Sequence, residues 1–165
     1  EGVSGMLSQA FEWFMDDMCR TQGVELADCF AHSFCLSADV TAAYDPNFAD
    51  VYDKRNAAFV NYGVGLCKYT GAGGKSGASD ASAEVVAYLR RLFEKDSVVW
   101  QLAALGKVDQ GGGGTVAMFM ANRNIDTVDC GVPVLSMHAP FEVIAKLDLF
   151  AAYNAFKAFY QMEQE

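Results

Sequence analysis

Apolar residues recur every three to four positions in several parts of the chain, a spacing that places them on one face of a helix. These patterns predict helices over residues 6–21, 80–94, 115–124 and 140–162. Gly23 lies where the first helix would end. Ser79 or Asp80 would cap the second helix, and Pro140 would lie in the first turn of the last.

Compact apolar runs between the helical stretches predict buried strands. The predicted strands are Phe34–Val40, Val60–Tyr69, Val98–Ala104 and Asp126–Leu135. Residues 41–58 are expected to be irregular, and the Gly- and Ser-rich residues 70–79 to form a loop. Strands that alternate with helices predict an α/β fold, in which helices flank a central, mostly parallel or mixed sheet.

Composition narrows the class of protein. The chain has 165 residues, of which 52% are hydrophobic, and we expect a single domain portion over residues 1–165. A formal net charge of −9 argues against a nucleic-acid partner, and no apolar run reaches the roughly 18 residues of a membrane span. Five cysteines without a Cys-x-x-Cys pair predict reduced, buried thiols in a cytoplasmic protein. Because the chain starts at Glu1 without a leading methionine, we expect it to be a C-terminal fragment or a processed piece of a longer protein.

Two residues that bind metals well lie at or just after the ends of predicted strands. Asp39 closes the apolar run of the first strand, and His138 comes after the last. Sites assemble at the carboxyl ends of α/β strands, and Asp and His suit zinc. Each has a structural alternative: Asp39 serves equally well as the N-cap of a following helix, and a lone histidine is more often a surface or satisfied residue. His32 lacks this context and is expected to be structural or at the surface.

Four consecutive glycines, Gly111–Gly114, precede the third predicted helix. The run lacks the Gly-Lys-Ser/Thr ending of a phosphate loop and does not follow the Gly-x-Gly-x-x-Gly pattern. The helix after it would present backbone N–H groups to an anion, whereas the alternative is a tight turn where two backbones pack closely. Both interpretations remain open. Lys68, Lys75 and Lys107 lie in or near the glycine run and the predicted loop over residues 70–79. A lysine in such a position is more often a solvated charge than a substrate contact.

Three segments match, in order, the motifs of a known enzyme family. They are Ser37-Ala-Asp-Val-Thr-Ala-Ala-Tyr-Asp-Pro-Asn47, Gly106-Lys-Val-Asp-Gln-Gly-Gly-Gly-Gly-Thr115 and Asp129-Cys-Gly-Val-Pro-Val-Leu-Ser-Met-His-Ala-Pro-Phe-Glu142. Together they resemble the aminopeptidase I / aspartyl aminopeptidase family of tetrahedral di-zinc exopeptidases. The resemblance covers essentially the whole chain and implies the C-terminal portion of a zinc-exopeptidase-like catalytic domain.

The resemblance implies a site that this chain supplies only in part. Family members hold two zinc ions with five ligands, of which the fourth and fifth correspond to Asp39 and His138. The other ligands and the general-base glutamate would precede Glu1, so no catalytic base is expected here. Asp39 would serve one zinc and His138 the other, and a water shared by the metals would attack the peptide carbonyl.

Substrate contacts follow from the same resemblance. Asp39, Lys68 and Lys75 correspond to positions that contact the peptide. Aspartyl-type members carry a histidine three residues after the metal-binding aspartate, where this chain has Ala42. That difference implies the bacterial aminopeptidase I branch and release of neutral or hydrophobic N-terminal residues.

The resemblance further implies a cytoplasmic metalloaminopeptidase that forms homo-oligomers, from dimers up to a tetrahedral dodecamer, and that needs the missing N-terminal part of the same enzyme. Two other functions are compatible with the sequence. One is a catalytically incomplete structural or assembly module, since this fragment alone is expected to be inactive. The other is an anion-binding α/β domain that uses Gly111–Gly114.

Overall fold

A computed structural model describes residues 5–71, 79–107, 110 and 112–162 of the chain. Its α-helices are α1 (Gln9–Gln22), α2 (Leu26–Ala31), α3 (Ala83–Lys95), α4 (Ala117–Ala121) and α5 (Lys146–Tyr160), and a 3-10 helix spans Pro46–Val51. Its strands are β1 (Phe34–Ser37), β2 (Thr41–Ala42), β3 (Val64–Cys67), β4 (Tyr69–Thr70), β5 (Ser79–Asp80), β6 (Trp100–Leu102), β7 (Asp126–Gly131), β8 (Pro133–Leu135) and β9 (Val143–Ile144). None of the helices in this described part is long and apolar enough to cross a membrane.

The main sheet has the strand order β1-β7-β3-β6. Strand β7 pairs parallel with β1 and antiparallel with β3, and β3 pairs parallel with β6, so the sheet is mixed. A smaller sheet continues from it in the order β2-β8-β9, with β2 and β8 parallel. The α/β class with a mixed sheet, predicted from the alternation of strands and helices, is therefore confirmed.

Helices cover both faces of the main sheet. On one face, Leu89 and Phe93 of α3 and a series of small α5 residues (Ala151, Ala152, Ala155, Ala158) pack with Leu66 and Val128 of the strands. Alternate strand residues point to opposite faces, so Cys35 packs instead with Phe30 of α2 and Met120 of α4. The small α5 side chains allow that helix to approach the sheet closely.

Several predicted boundaries differ from the structure. The strands are shorter than the apolar runs, because their ends continue into turns rather than into paired backbone. The predicted strand Asp126–Leu135 is two strands, β7 in the main sheet and β8 in the smaller one, and Val132 lies between them. Helix α3 begins later than expected, because Ser82 caps it by accepting a hydrogen bond from the Val85 N–H, while Ser79 and Asp80 form β5.

The prediction for the last helix was wrong at its start. Pro140 does not lie in a helix, and α5 begins only at Lys146. The chain turns sharply after β8, where Ser136 and His138 have positive φ angles of 58° and 67°. It then returns as β9, which pairs antiparallel with β8. Pairing of this hairpin therefore overrides the helical pattern around Pro140.

One buried carboxylate fixes the turn that leads into β3. Asp148 of α5 is completely buried, and its two oxygens accept hydrogen bonds from the Asn61 N–H at 2.7 Å and the Gly63 N–H at 2.8 Å. Gly63 has a φ of 94°, and a Cβ there would lie 2.3 Å from the Val99 carbonyl oxygen. The contact ties the end of one helix to the centre of the main sheet.

Replacing Asp148 with alanine should lower the free energy of unfolding by about 3 kcal/mol, because it leaves two backbone N–H groups without their charged acceptor. Urea denaturation of the purified protein measures the change. Asp50→Ala, which removes an exposed carboxylate, is the matched control and should change stability by less than about 0.5 kcal/mol. Equal stability losses in the two variants would contradict this role for Asp148.

Candidate functional site

A cavity of about 370 Å³ opens where the two sheets meet the glycine-rich loop. Both residues selected as metal ligands line it. The lining residues are Asp39, Val40, Ala42, Val51, Tyr52, Leu105, Gly106, Gly112, Gly113, Gly114, Thr115, Met137 and His138. The fold thus brings together Asp39 and His138, which lie about a hundred residues apart in the chain.

Asp39 lies in the short link between β1 and β2. Its side chain is exposed, and its Oδ1 accepts a hydrogen bond from the Val40 N–H at 2.8 Å. A strand follows it, so the alternative role as a helix N-cap does not apply. The link packs directly on Gly131, where a Cβ would lie 1.4 Å from the Asp39 carbonyl oxygen. Only glycine at position 131 permits this backbone path.

His138 lies in the turn that follows β8. Its φ of 67° is in the left-handed region, which non-glycine residues adopt at an energetic cost. The His138 N–H donates to Glu142 Oε1 at 2.6 Å, which holds the turn. The imidazole is exposed. His32, by contrast, ends α2 with its Nδ1 2.8 Å from the Asp28 carbonyl oxygen, the structural role expected for it.

An aspartate and a histidine form a donor set that suits zinc, so the residues present fit that metal. They supply only part of a coordination shell. Within residues 5–71, 79–107, 110 and 112–162, no group of three or more His, Cys, Asp or Glu side chains is placed to hold a metal ion.

The buried cysteines do not add ligands. Burial raises the pKa of Cys67 to about 11, and burial also raises the pKa of Cys130, so both thiols stay protonated at neutral pH. Metal binding requires the thiolate. All five cysteines are free, as expected, and of these Cys19, Cys67 and Cys130 are buried.

Of the two lysines selected as substrate contacts, the structure describes only Lys68. Lys68 lies between β3 and β4 and forms an ion pair with Asp80 of β5. It is not one of the described residues that line the cavity. Lys75 lies outside the described residues.

The glycine run contributes one wall of the cavity. A Cβ on Gly112, whose φ is 97°, would lie 2.2 Å from the Gly71 carbonyl oxygen, so this glycine is needed for close packing of two backbones. Helix α4 begins only at Ala117 and has five residues. The interpretation of the run as a site of close backbone packing therefore has direct geometric support, at Gly112 itself.

The sequence reasoning did not select two polar residues beside the cavity. The Thr115 hydroxyl donates to Asp129 Oδ2 at 2.8 Å, and Asp129 lies on β7 with only 4% of its surface exposed. Burial raises the pKa of Asp129, and the neighbouring hydroxyl groups of Ser37, Thr115 and Thr70 oppose that rise. Both residues lie within the quoted motifs, but no spacing rule pairs them.

The apolar wall of the cavity was also missed. Val40, Val51, Leu105, Met137 and the ring of Tyr52 line it. These residues come from four separate segments of the chain, so no periodic pattern connects them in the sequence.

The chain matches the model of the aminopeptidase I zinc metalloprotease family (M18) over residues 1–160. The chain belongs to the M18 aminopeptidase family. It is 46% identical over 166 residues to a probable M18 family aminopeptidase 1 of Borreliella burgdorferi, covering 97% of this chain and 36% of the relative. The chain therefore spans about a third of the length of the curated relatives it matches.

Solved M18 structures share the fold. The crystal structure of aminopeptidase I from Clostridium acetobutylicum superposes with a TM-score of 0.88 at 45% identity, over 98% of this chain and 35% of that one. The M18 aminopeptidase structure from Thermotoga maritima gives a TM-score of 0.89 at 42% identity, over 96% of this chain and 36% of that one. The resemblance to the aminopeptidase I family is confirmed.

Gly131→Ala should displace the Asp39 link, because the new Cβ meets backbone atoms that no side-chain rotation can move. We expect zinc affinity of the complete M18 protein to fall at least about tenfold, which titration against a chelator would measure. Gly23→Ala is the control: Gly23 ends α1 with a φ of 68°, and a Cβ there would have no neighbouring atom within 4 Å. It should cost about 1 kcal/mol of stability without loss of zinc. Full zinc retention in Gly131→Ala would contradict this role.

Proposed function

We propose that this chain is the C-terminal portion of the catalytic domain of a zinc metalloaminopeptidase, which releases N-terminal residues from peptides at a two-zinc centre. The observation that carries the proposal is the convergence of Asp39 and His138 on one cavity in a member of the M18 family. Asp39 would hold one zinc ion and His138 the other. The remaining ligands and the general-base glutamate would come from the polypeptide before Glu1.

The residues of this chain would bind and orient the reactants. Zinc, when bound, supplies the Lewis acidity that activates water and polarises the peptide carbonyl. The Val40 N–H fixes the direction of the Asp39 carboxylate, and Glu142 holds the turn that carries His138. Gly112–Gly114 let the peptide backbone approach the cavity wall without side chains in the way.

The cavity wall supports a preference for neutral or hydrophobic N-terminal residues. Val51, Leu105 and Met137 give an apolar lining that favours apolar side chains. Ala42 also lines the cavity, at the position where aspartyl-type members carry a histidine. No lysine or arginine is among the described lining residues, and the one histidine there, His138, is the proposed zinc ligand, so an acidic side chain would lack a cationic side-chain partner. Lys68 and Lys75 stay proposed as substrate contacts, and Lys68 would have to leave Asp80 to act.

Exposed apolar surface supports a larger assembly. Leu147, Phe150, Tyr153 and Tyr160 of α5 are each more than 60% exposed, as are Trp13 and Phe14 of α1. Contiguous apolar patches of this kind mark interaction surfaces. We propose that the rest of the polypeptide and further copies of the same protein cover them, in homo-oligomers that range from dimers to a dodecamer, and that the enzyme works in the cytoplasm.

A second function has one observation in its favour. Because the described residues hold no cluster of three metal ligands, this chain by itself fits a catalytically incomplete assembly module. Intact mass and elemental analysis of the native particle separate the two functions. A longer polypeptide or a bound upstream fragment, with two zinc ions per subunit, supports the aminopeptidase. A lone chain without metal supports the module.

Replacing His138 with alanine in the complete enzyme should reduce hydrolysis of leucine p-nitroanilide at least about a hundredfold, because one zinc ion loses a ligand. The unfolding free energy should change by less than about 1 kcal/mol, since the ring is exposed. His32→Ala, at the other exposed histidine, should retain full turnover. Retained turnover in His138→Ala would remove His138 from the ligand set.

Ala42→His should shift the preference toward acidic N-terminal residues, because it places a cationic partner in the apolar cavity. We expect the ratio of kcat/KM for aspartyl over leucyl p-nitroanilide to rise about tenfold. Ala42→Gln adds similar bulk without an ionisable ring and should lower both rates without reversing the preference. Equal ratios in the two variants would contradict a specificity role for position 42.

A further inference from the structure

Asp129 is buried on β7, an inner strand of the main sheet, at the level where β1 and β3 end, and burial is unfavourable for a carboxylate. It lies on β7 opposite Ser37 of β1 and Cys67 of β3, and it is 4% exposed. Its Oδ2 accepts the hydrogen bond from Thr115, while its Oδ1 has no hydrogen-bond partner of suitable geometry among the described residues. Burying a carboxylate costs free energy even where hydroxyl groups such as those of Ser37 and Thr70 lie nearby, and the Thr115 hydroxyl is its one hydrogen-bond partner of good geometry among the described residues.

Thr115, the hydrogen-bond partner of Asp129, is part of the cavity wall. Thr115 ends the glycine run, and it lines the cavity together with Gly112, Gly113 and Gly114. Asp129 itself is not among the described lining residues, so its connection to the cavity wall is the hydrogen bond from Thr115.

The described part of the glycine run is held by contacts at its two ends. At one end, Gly112 packs against the Gly71 carbonyl oxygen, and at the other the Thr115 hydroxyl binds Asp129. Val116 follows without a side-chain capping hydrogen bond for α4. Glycines have no side chains that could anchor the backbone between these two points, and unanchored glycine backbone samples many conformations.

We propose that Asp129 is a positioning residue that acts through the Thr115 hydroxyl. It would hold the glycine wall, Gly112–Thr115, at a fixed position relative to Asp39 and His138. This inference rests on the proposed aminopeptidase function. A fixed wall would hold the scissile peptide at the metal ligands, and small misplacement of a bound substrate is enough to lower a rate about a hundredfold. The effect should therefore be on turnover rather than on zinc binding.

The test compares Thr115→Val, which removes the hydroxyl at nearly constant volume, with Thr115→Ser, which keeps it. In the complete enzyme, kcat and KM for leucine p-nitroanilide, zinc per subunit and the unfolding temperature are measured. Thr115→Val should lower kcat about 10- to 100-fold with KM and zinc content unchanged, and Thr115→Ser should stay within about threefold of the native enzyme.

Thr127→Val is the matched control. Thr127 lies on β7, the strand that carries Asp129, and it is 5% exposed. Its hydroxyl donates a hydrogen bond to the Ile125 carbonyl oxygen at 2.9 Å. It should lower the unfolding temperature without lowering kcat. The inference is overturned if Thr115→Val retains kcat, if serine does not restore it, if zinc is lost, or if Thr127→Val lowers kcat equally. Absence of zinc-dependent turnover in the native enzyme would instead overturn the proposed function.

Discussion

The close approach of two backbones at Gly131 determines the geometry of the whole site. Strands β1 and β7 run parallel in the main sheet, and β2 and β8 run parallel in the smaller one. The chain passes from the main sheet to the smaller one at two adjacent places. One is the link from β1 to β2, which contains Asp39, and the other is the end of β7 at Gly131, just before β8. The carbonyl of Asp39 occupies the space that a Cβ at Gly131 would fill. This contact places Asp39 next to the strand that leads to His138.

Local strain and polar burial are concentrated around that crossing. Ser136 and His138 adopt positive φ angles in the turn after β8, and Asp129 is buried in the sheet beneath the glycine run. Each feature costs stability, and the apolar cores on both faces of the sheet offset that cost. Such a distribution is typical of a functional site held by a rigid scaffold, in which the surrounding packing holds residues in conformations that they would not adopt alone.

The sequence predicted the parts of this arrangement that follow from local patterns. Apolar runs and helical spacing gave the α/β class, and the position of Asp39 and His138 after such runs gave the two ligand candidates, which the fold places on one cavity. Their roles as ligands stay predictions. The hairpin of β8 and β9 was missed because its pairing outweighs the signal of Pro140. The Thr115–Asp129 hydrogen bond and the apolar wall depend on contacts between distant segments, which no periodicity encodes.

The chain combines a well-packed core with only two candidate metal ligands. Its sheet is covered on both faces, yet α1 and α5 expose large apolar residues, and its described residues supply no cluster of three ligands. Under the proposed function, the segments that bury this apolar surface and those that complete the zinc shell belong to the same assembly. Metal binding would then stabilise the assembled state over separate parts, because zinc bridges ligands from both sides. Such coupling would restrict peptide hydrolysis to the assembled enzyme.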